Sequence, residues 1–155
     1  EPLIHGGEST TIYRSGTPTV ALACSLALAL DKAVTALPQR VEYIRGLNTR
    51  LRAELFRYPK VRINSPEHAV PQILNLSVQN VKGTVFQREL DARGVCVSVK
   101  SACSSDGLPS RAVFAVSRDR RNALSSWRIS LSHLTTEQDL TDFLQAFDAC
   151  YRELT

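Results

Sequence analysis

The spacing of apolar positions predicts two helices, then short strands with helices between and after them. In the first stretch apolar residues recur at Val20, Leu22, Ala23, Leu26, Ala27, Leu30, Ala33, Val34 and Leu37. They surround most of the helix, which predicts a well-buried one. Thr17-Pro18 reads as its N-cap and first helical residue. Pro38 reads as its end and as the opening of the next helix. Residues 39–57 place Val41, Ile44, Leu47, Leu51 and Leu55 three and four apart, with arginines on the other side, as in an amphipathic surface helix. Val61-Arg62-Ile63-Asn64 reads as a short strand. In Gln72–Val78 the residues alternate, with Ile73, Asn75 and Ser77 on one face and Leu74, Leu76 and Val78 on the other. Gly83–Arg93 reads as a helix stopped by Gly94, Val95–Ser98 as a strand, Ser110–Val116 as a helical turn or two, and Trp127–Leu131 as a strand. Thr135-Thr136-Glu137-Gln138 reads as a capping box. It opens a last helix with the stripe Leu140, Phe143, Leu144, Phe147, Cys150 and Tyr151. This pattern predicts an α/β (α+β) fold: a two-layer sandwich with a small mixed, mostly antiparallel sheet and helices on one face.

Composition narrows the function. At 155 residues, 43% of them hydrophobic and 22% charged, the chain suits one globular domain with a real core. Its longest apolar stretch, Val20–Leu30, falls short of the ~18 residues that cross a bilayer, so no membrane is expected. No basic segment precedes an apolar one at the N-terminus, unlike a signal peptide. Cys24, Cys96, Cys103 and Cys150 form no CxxC pair, which speaks against a disulfide framework or a zinc site and for a reducing, cytoplasmic compartment. The net charge is +4, but aromatics make up 6% and do not interleave with the arginines, so no nucleic acid is expected. The cluster Arg118-Asp119-Arg120-Arg121 reads as a solvated basic face or as a docking patch for an acidic protein.

Three places carry candidate chemistry. Val99–Ser110 sets Cys103 among small residues, followed by Asp106-Gly107 and Pro109, which keep the backbone out of regular structure. An exposed, mobile loop follows from that composition. Lys100 and Arg111 flank it, and cations raise the thiolate fraction of a thiol. No His or Asp sits beside the cysteine in sequence, so it does not resemble a hydrolase nucleophile. It suits a thiol that accepts a group in one place and delivers it in another; the alternative is an incidental surface cysteine. Arg128 lies mid-strand. Pointing inward it needs an anion, and its planar fork suits a carboxylate; the commoner alternative is an arginine paired with a nearby acid on an open face. Arg14-Ser15-Gly16-Thr17-Pro18 puts a hydroxyl and backbone amides at a helix start, either a phosphate-binding corner or an ordinary cap. Cys24 and Cys150 lie on helical apolar faces and read as core, and Cys96 as packed against one side of the sheet.

Taken together, these pieces resemble the C-terminal part of NifS/IscS-like cysteine desulfurases, pyridoxal-phosphate enzymes of the class-V aminotransferase group. The matching segments are Ile4-His5-Gly6-Gly7, Arg14-Ser15-Gly16-Thr17, Pro71-Gln72-Ile73-Leu74-Asn75, Ser101-Ala102-Cys103-Ser104-Ser105 and Ser126–Leu131 followed by Thr135-Thr136-Glu137. The resemblance implies the small C-terminal domain of a fold-type-I enzyme in residues 18–155, with residues 1–17 continuing from a larger pyridoxal-phosphate domain. It implies that L-cysteine becomes L-alanine while Cys103 takes the sulfur as a persulfide. It further implies that Arg128 holds the substrate carboxylate and that Thr17 reaches the cofactor phosphate across a homodimer interface. The sulfur acceptor is then an iron-sulfur scaffold or another acceptor protein. The family's Schiff-base lysine lies upstream of the matching region, so this stretch alone is expected to be inactive. The alternative is a free-standing, non-catalytic domain that carries sulfur or docks a partner through the Cys103 loop.

Overall fold

The structure is a computed structural model that describes residues 1–7, 12–100 and 108–155. Contacts divide the chain into two compact units, Glu1–Pro38 and Gln39–Thr155. In the first, Ile4 and Arg14 form an isolated parallel bridge. Leu3 N donates to Tyr13 O at 2.8 Å and Ser15 N to Ile4 O at 3.1 Å. Helix α1 (Val20–Leu55) then begins, two residues later than a Thr17 cap would start it. Val20 N turns back onto Pro18 O (3.0 Å) and Ala23 N donates to Thr19 O (3.1 Å), so the first helical turn closes behind Thr19.

Two expectations about α1 are corrected. Pro38 lies inside the helix rather than between two. A proline removes one amide donor, but the apolar spacing of Val34 and Leu37 continues in phase into Val41 and Ile44, and one 36-residue helix results. The first stretch is also not buried: Leu22 is 68% exposed, Leu26 69% and Leu30 59%. Cys24, expected in the core, is exposed with them. By length and composition α1 is apolar enough to cross a membrane, with a mean hydropathy of 1.8 over 18 residues. Counting only the stretch to Leu30 missed this, because the apolar character resumes after Asp31 and Lys32. Helices covered by other protein segments have the same composition.

The second unit is built on a three-stranded antiparallel sheet in the order β1 (Val61–Ile63), β2 (Ile73–Val78), β3 (Ser126–Ser130). Leu74 faces Ile129 and Leu76 faces Trp127 across β2 and β3. These four, with Val78, form the apolar side of the sheet. Ile44, Leu47, Leu51 and Leu55 of α1 are buried with them, as are Phe86 and Leu90 of α2 (Gly83–Asp91) and Leu140, Phe143, Phe147 and Cys150 of α5 (Glu137–Leu154). Trp127 stacks on Phe86 at 5.2 Å and lies 6.1 Å from Phe147, so aromatic packing ties β3 to two helices. The long helices thus share one side of the sheet, as the sequence predicts.

Details at the ends of elements differ. Among the described residues, 95–98 pair only through the antiparallel bridge Ser98–Arg128, so the named strands there number three and none runs parallel. Val95 and Val97 turn to the core, which leaves Cys96 exposed rather than packed on the sheet. The capping box is shifted by one residue. Thr136 is the N-cap and its hydroxyl accepts from Asp139 N at 3.0 Å, while Asp139 Oδ2 accepts from Thr136 N at 2.8 Å. Gly94 has φ +78°, the left-handed turn expected after α2. Gly83 is required for a different reason: a Cβ there would stand 2.4 Å from Ser126 O, at the start of β3.

Candidate functional site

The second side of the sheet is polar, because the alternation that sends Leu74, Leu76 and Val78 to the core sends Asn75 and Ser77 the other way. On β3 the same parity turns Ser126 and Arg128 to that side, and on β1 Arg62. Register sets Asn75 opposite Arg128, Ser77 opposite Ser126 and Arg62 opposite Ser77. Ser98 bonds Arg128 from the far edge, with Arg128 N donating to Ser98 O at 2.6 Å. Two short helices, α3 (Arg111–Ser117) and α4 (Arg120–Ser125), follow the Cys103 segment. Ser77 Oγ donates to Asn122 O at 3.0 Å, which seats α4 on this polar side.

A cleft of about 820 Å³ opens over this side of the sheet. Its floor includes Asn64, Asn75, Ser98 and Arg128, and α3 contributes Arg111 and Val113. Lys100 and Leu108, the described residues on either side of the Cys103 segment, also line it. Arg128 Nε is buried and has no hydrogen-bond partner. No carboxylate among the described residues pairs with its guanidinium, so the surface ion pair considered from sequence is not what this arginine makes. A guanidinium on the floor of a cleft, with its inner nitrogen unsatisfied, has the donors to hold an anion.

The remaining predicted residues are placed as follows. Thr17 is exposed in the first unit, ahead of α1. Beside it the Arg14 guanidinium donates to the carbonyls of Ser15 and Gly16 at 3.2 Å each, which closes the turn. Cys103 lies outside the described residues. The Arg118–Arg121 cluster has local work to do. Arg118, at φ 54°, ends α3, and Asp119 Oδ1 caps α4 by accepting from Arg121 N (2.9 Å) and Asn122 N (3.1 Å). Asp119 also stands 3.8 Å from Arg62. Sequence reasoning missed Asn64, Asn75 and Asn122 as part of the site. The signal was present in the polar half of the alternation in Ile73–Val78, but that half carries no motif of its own.

A family model for class-V aminotransferases matches residues 5–143, and the chain belongs to that family. The cysteine desulfurase IscS of Dictyoglomus turgidum is 32% identical over 99% of this chain and 40% of its own length. An IscS-like cysteine desulfurase of Mycobacterium tuberculosis is 32% identical over 93% of this chain and 38% of its own. Among solved structures, a NifS-like protein from Rickettsia africae superposes with a TM-score of 0.79 at 28% identity, over 98% of this chain and 40% of that one. The chain therefore spans about 40% of the length of the curated relatives it matches.

Proposed function

We propose that this chain forms the part of a cysteine desulfurase that grips the substrate carboxylate and carries the sulfur-accepting thiol. The observation that supports this best is Arg128, whose buried Nε has no partner among the described residues, on the floor of a cleft in a chain whose relatives are cysteine desulfurases. Arg128 binds the carboxylate of L-cysteine and fixes the direction in which the substrate lies. The cleft is lined by Lys100 and Leu108, which precede and follow in sequence the segment that holds Cys103. The Cys103 thiolate attacks the substrate sulfur, keeps it as a persulfide and leaves L-alanine. The sulfur then passes to an iron-sulfur scaffold or another acceptor protein, in a cytoplasmic setting.

Pyridoxal phosphate, when bound, supplies the electron sink that loosens the carbon–sulfur bond. What this chain offers it is Thr17. The exposed hydroxyl ahead of a long helix fits a phosphate group, and the leading amides of α1 favour the same charge. In the family this contact is made across a homodimer. The exposed apolar positions of α1 are read as a surface that the rest of the full-length enzyme covers.

The test is made on the full-length protein with L-cysteine. Mass spectrometry should find one added sulfur on Cys103. Cys103→Ala should stop sulfide release and leave the cofactor absorbance intact. Normal sulfide release from that variant would remove Cys103 from the reaction.

A further inference from the structure

Below the cleft, four side chains form a hydrogen-bonded chain whose direction is fixed by one backbone atom. Ser77 Oγ lies 3.0 Å from Asn122 O. A carbonyl oxygen only accepts, so the Ser77 hydroxyl must spend its proton there. Ser77 Oγ is then an acceptor for its other neighbour, Asn64 Nδ2, at 2.8 Å. The same Nδ2 gives its second proton to Asn75 Oδ1 at 2.8 Å. Asn64 Oδ1 in turn accepts from Asn122 Nδ2 at 2.9 Å. No amide in this chain can be flipped without setting two donors or two acceptors against each other. The backbone of Asn75 is held as well: its N donates to Ser65 Oγ (2.9 Å) and its O accepts from Asn64 N (2.8 Å).

With Oδ1 committed to Asn64, the NH2 group of Asn75 is turned away from it. No acceptor among the described residues takes a hydrogen bond from that NH2 group. Asn75 is directly opposite Arg128 in the sheet, and both line the cleft. Side chains of opposed residues stand about 4.5–5.5 Å apart at Cβ. Two donor groups, the Asn75 NH2 and the Arg128 guanidinium, therefore stand on opposed residues lining the same cleft.

We propose that Asn75 is a second binding residue for the substrate carboxylate, its NH2 group donating to one carboxylate oxygen beside Arg128, in an orientation set by Asn64, Ser77 and Asn122. The inference rests on the reading that this cleft takes the carboxylate of an amino acid. It adds a specificity element: an acceptor-only group of two oxygens satisfies both donors, whereas a carboxamide in its place presents a donor of its own.

The test uses the full-length holoenzyme and two probes, L-alanine binding by calorimetry and L-cysteine turnover. Asn75→Ala removes the donor and leaves Asn64 bonded to Ser77. Asn75→Asp keeps the shape and puts an acceptor where the donor stood. Both should weaken L-alanine binding about tenfold or more, the usual cost of losing a hydrogen bond to a charged group. The KM for L-cysteine should rise by a similar factor, with kcat changed far less. Ser77→Ala, which frees the direction of the chain, should give a smaller rise of the same kind. Where Asn75→Asp fails to fold, Asn75→Ala carries the measurement. Binding within twofold of the parent protein for Asn75→Ala, while Arg128→Ala binds weakly, overturns the role of Asn75 alone. Binding within twofold for Arg128→Ala as well overturns the carboxylate reading of the cleft.

Discussion

Gly83→Ala tests whether the helix that covers the core and the strand that carries Arg128 are as close as the structure has them. The added Cβ would stand 2.4 Å from Ser126 O, 3.2 Å from Ser126 C and 3.4 Å from Val99 Cγ1. Ordinary carbon–oxygen approach is about 3.3 Å or more, so the first contact is short by nearly an ångström. Ser126 O is backbone and cannot swing aside; α2 or β3 has to move. Overpacking of this kind costs about 1–3 kcal/mol. The helix-propensity gain of alanine over glycine, at most about 1 kcal/mol in a helix interior, is smaller in the first turn where Gly83 sits. The net expectation is a loss of about 1–3 kcal/mol, or a fall in melting temperature of about 2–10 °C for a domain of this size. Gly46→Ala is the internal control. It lies within α1 with nothing inside 4 Å of its Cβ position, so it should stabilise by up to about 1 kcal/mol. Urea and thermal unfolding of the two variants, measured side by side, should move in opposite directions. Equal stability of Gly83→Ala and the parent would mean that α2 and β3 are further apart than described. Ser126 is two residues from Arg128 on the same strand, so under the proposed function Gly83→Ala should also raise the KM of the full-length protein for L-cysteine.

Other expectations follow from the ends and the core. Thr136→Ala removes the N-cap of α5 and should cost about 1 kcal/mol in urea unfolding. The Thr136 backbone N–H, and then its hydroxyl, hold the Asp139 carboxyl below its usual range. That contribution to stability is present above about pH 4 and lost as pH falls through the depressed folded value. Asp139→Asn should therefore flatten the acid limb of a stability–pH curve, and an unchanged limb counts against the cap geometry. Burial raises the Cys150 thiol above its usual range, whereas Cys24 and Cys96 are exposed. A thiol reagent followed by peptide mapping should label Cys96 quickly and leave Cys150 until the protein unfolds; prompt labelling of Cys150 would contradict its place in the core.

Much of the fold could be read from the sequence because local and tertiary signals agree there. The stripe from Leu140 to Tyr151 belongs to a real helix, and Gly94 ends α2. The alternation in β2 names its buried face. The misses have physical causes. Pro38 is a strong local signal, but an apolar phase that runs through it outweighs it. Leu22, Leu26 and Leu30 carry the pattern of a buried helix, yet periodicity reports only which side is apolar, not whether anything covers it. Cys96 shows the same limit of parity, since opposite to Val95 and Val97 turned out to mean solvent. The cleft floor was half visible. Arg128 stands out as a charge within a strand, but Asn64, Asn75 and Asn122 are separated by up to 58 positions and meet only because β1 pairs with β2 and α4 crosses the sheet.

Those polar residues owe their positions to the apolar ones. Asn75 faces Arg128 because Leu74 faces Ile129 and Leu76 faces Trp127. A slip of one residue between β2 and β3 would turn Asn75 and Ser77 into the core and Leu74 and Leu76 into the cleft, a change that burial of four large side chains forbids. The register of the donors is therefore set from the opposite side of the sheet, by packing against Phe86 and Phe147. The direction of the hydrogen bonds is set separately, by the single carbonyl of Asn122. Register and direction can fail independently. Truncating Trp127 should loosen β3 and weaken every function of the cleft together with stability. Truncating Ser77 should leave the register intact and change only what the donors of the floor can recognise.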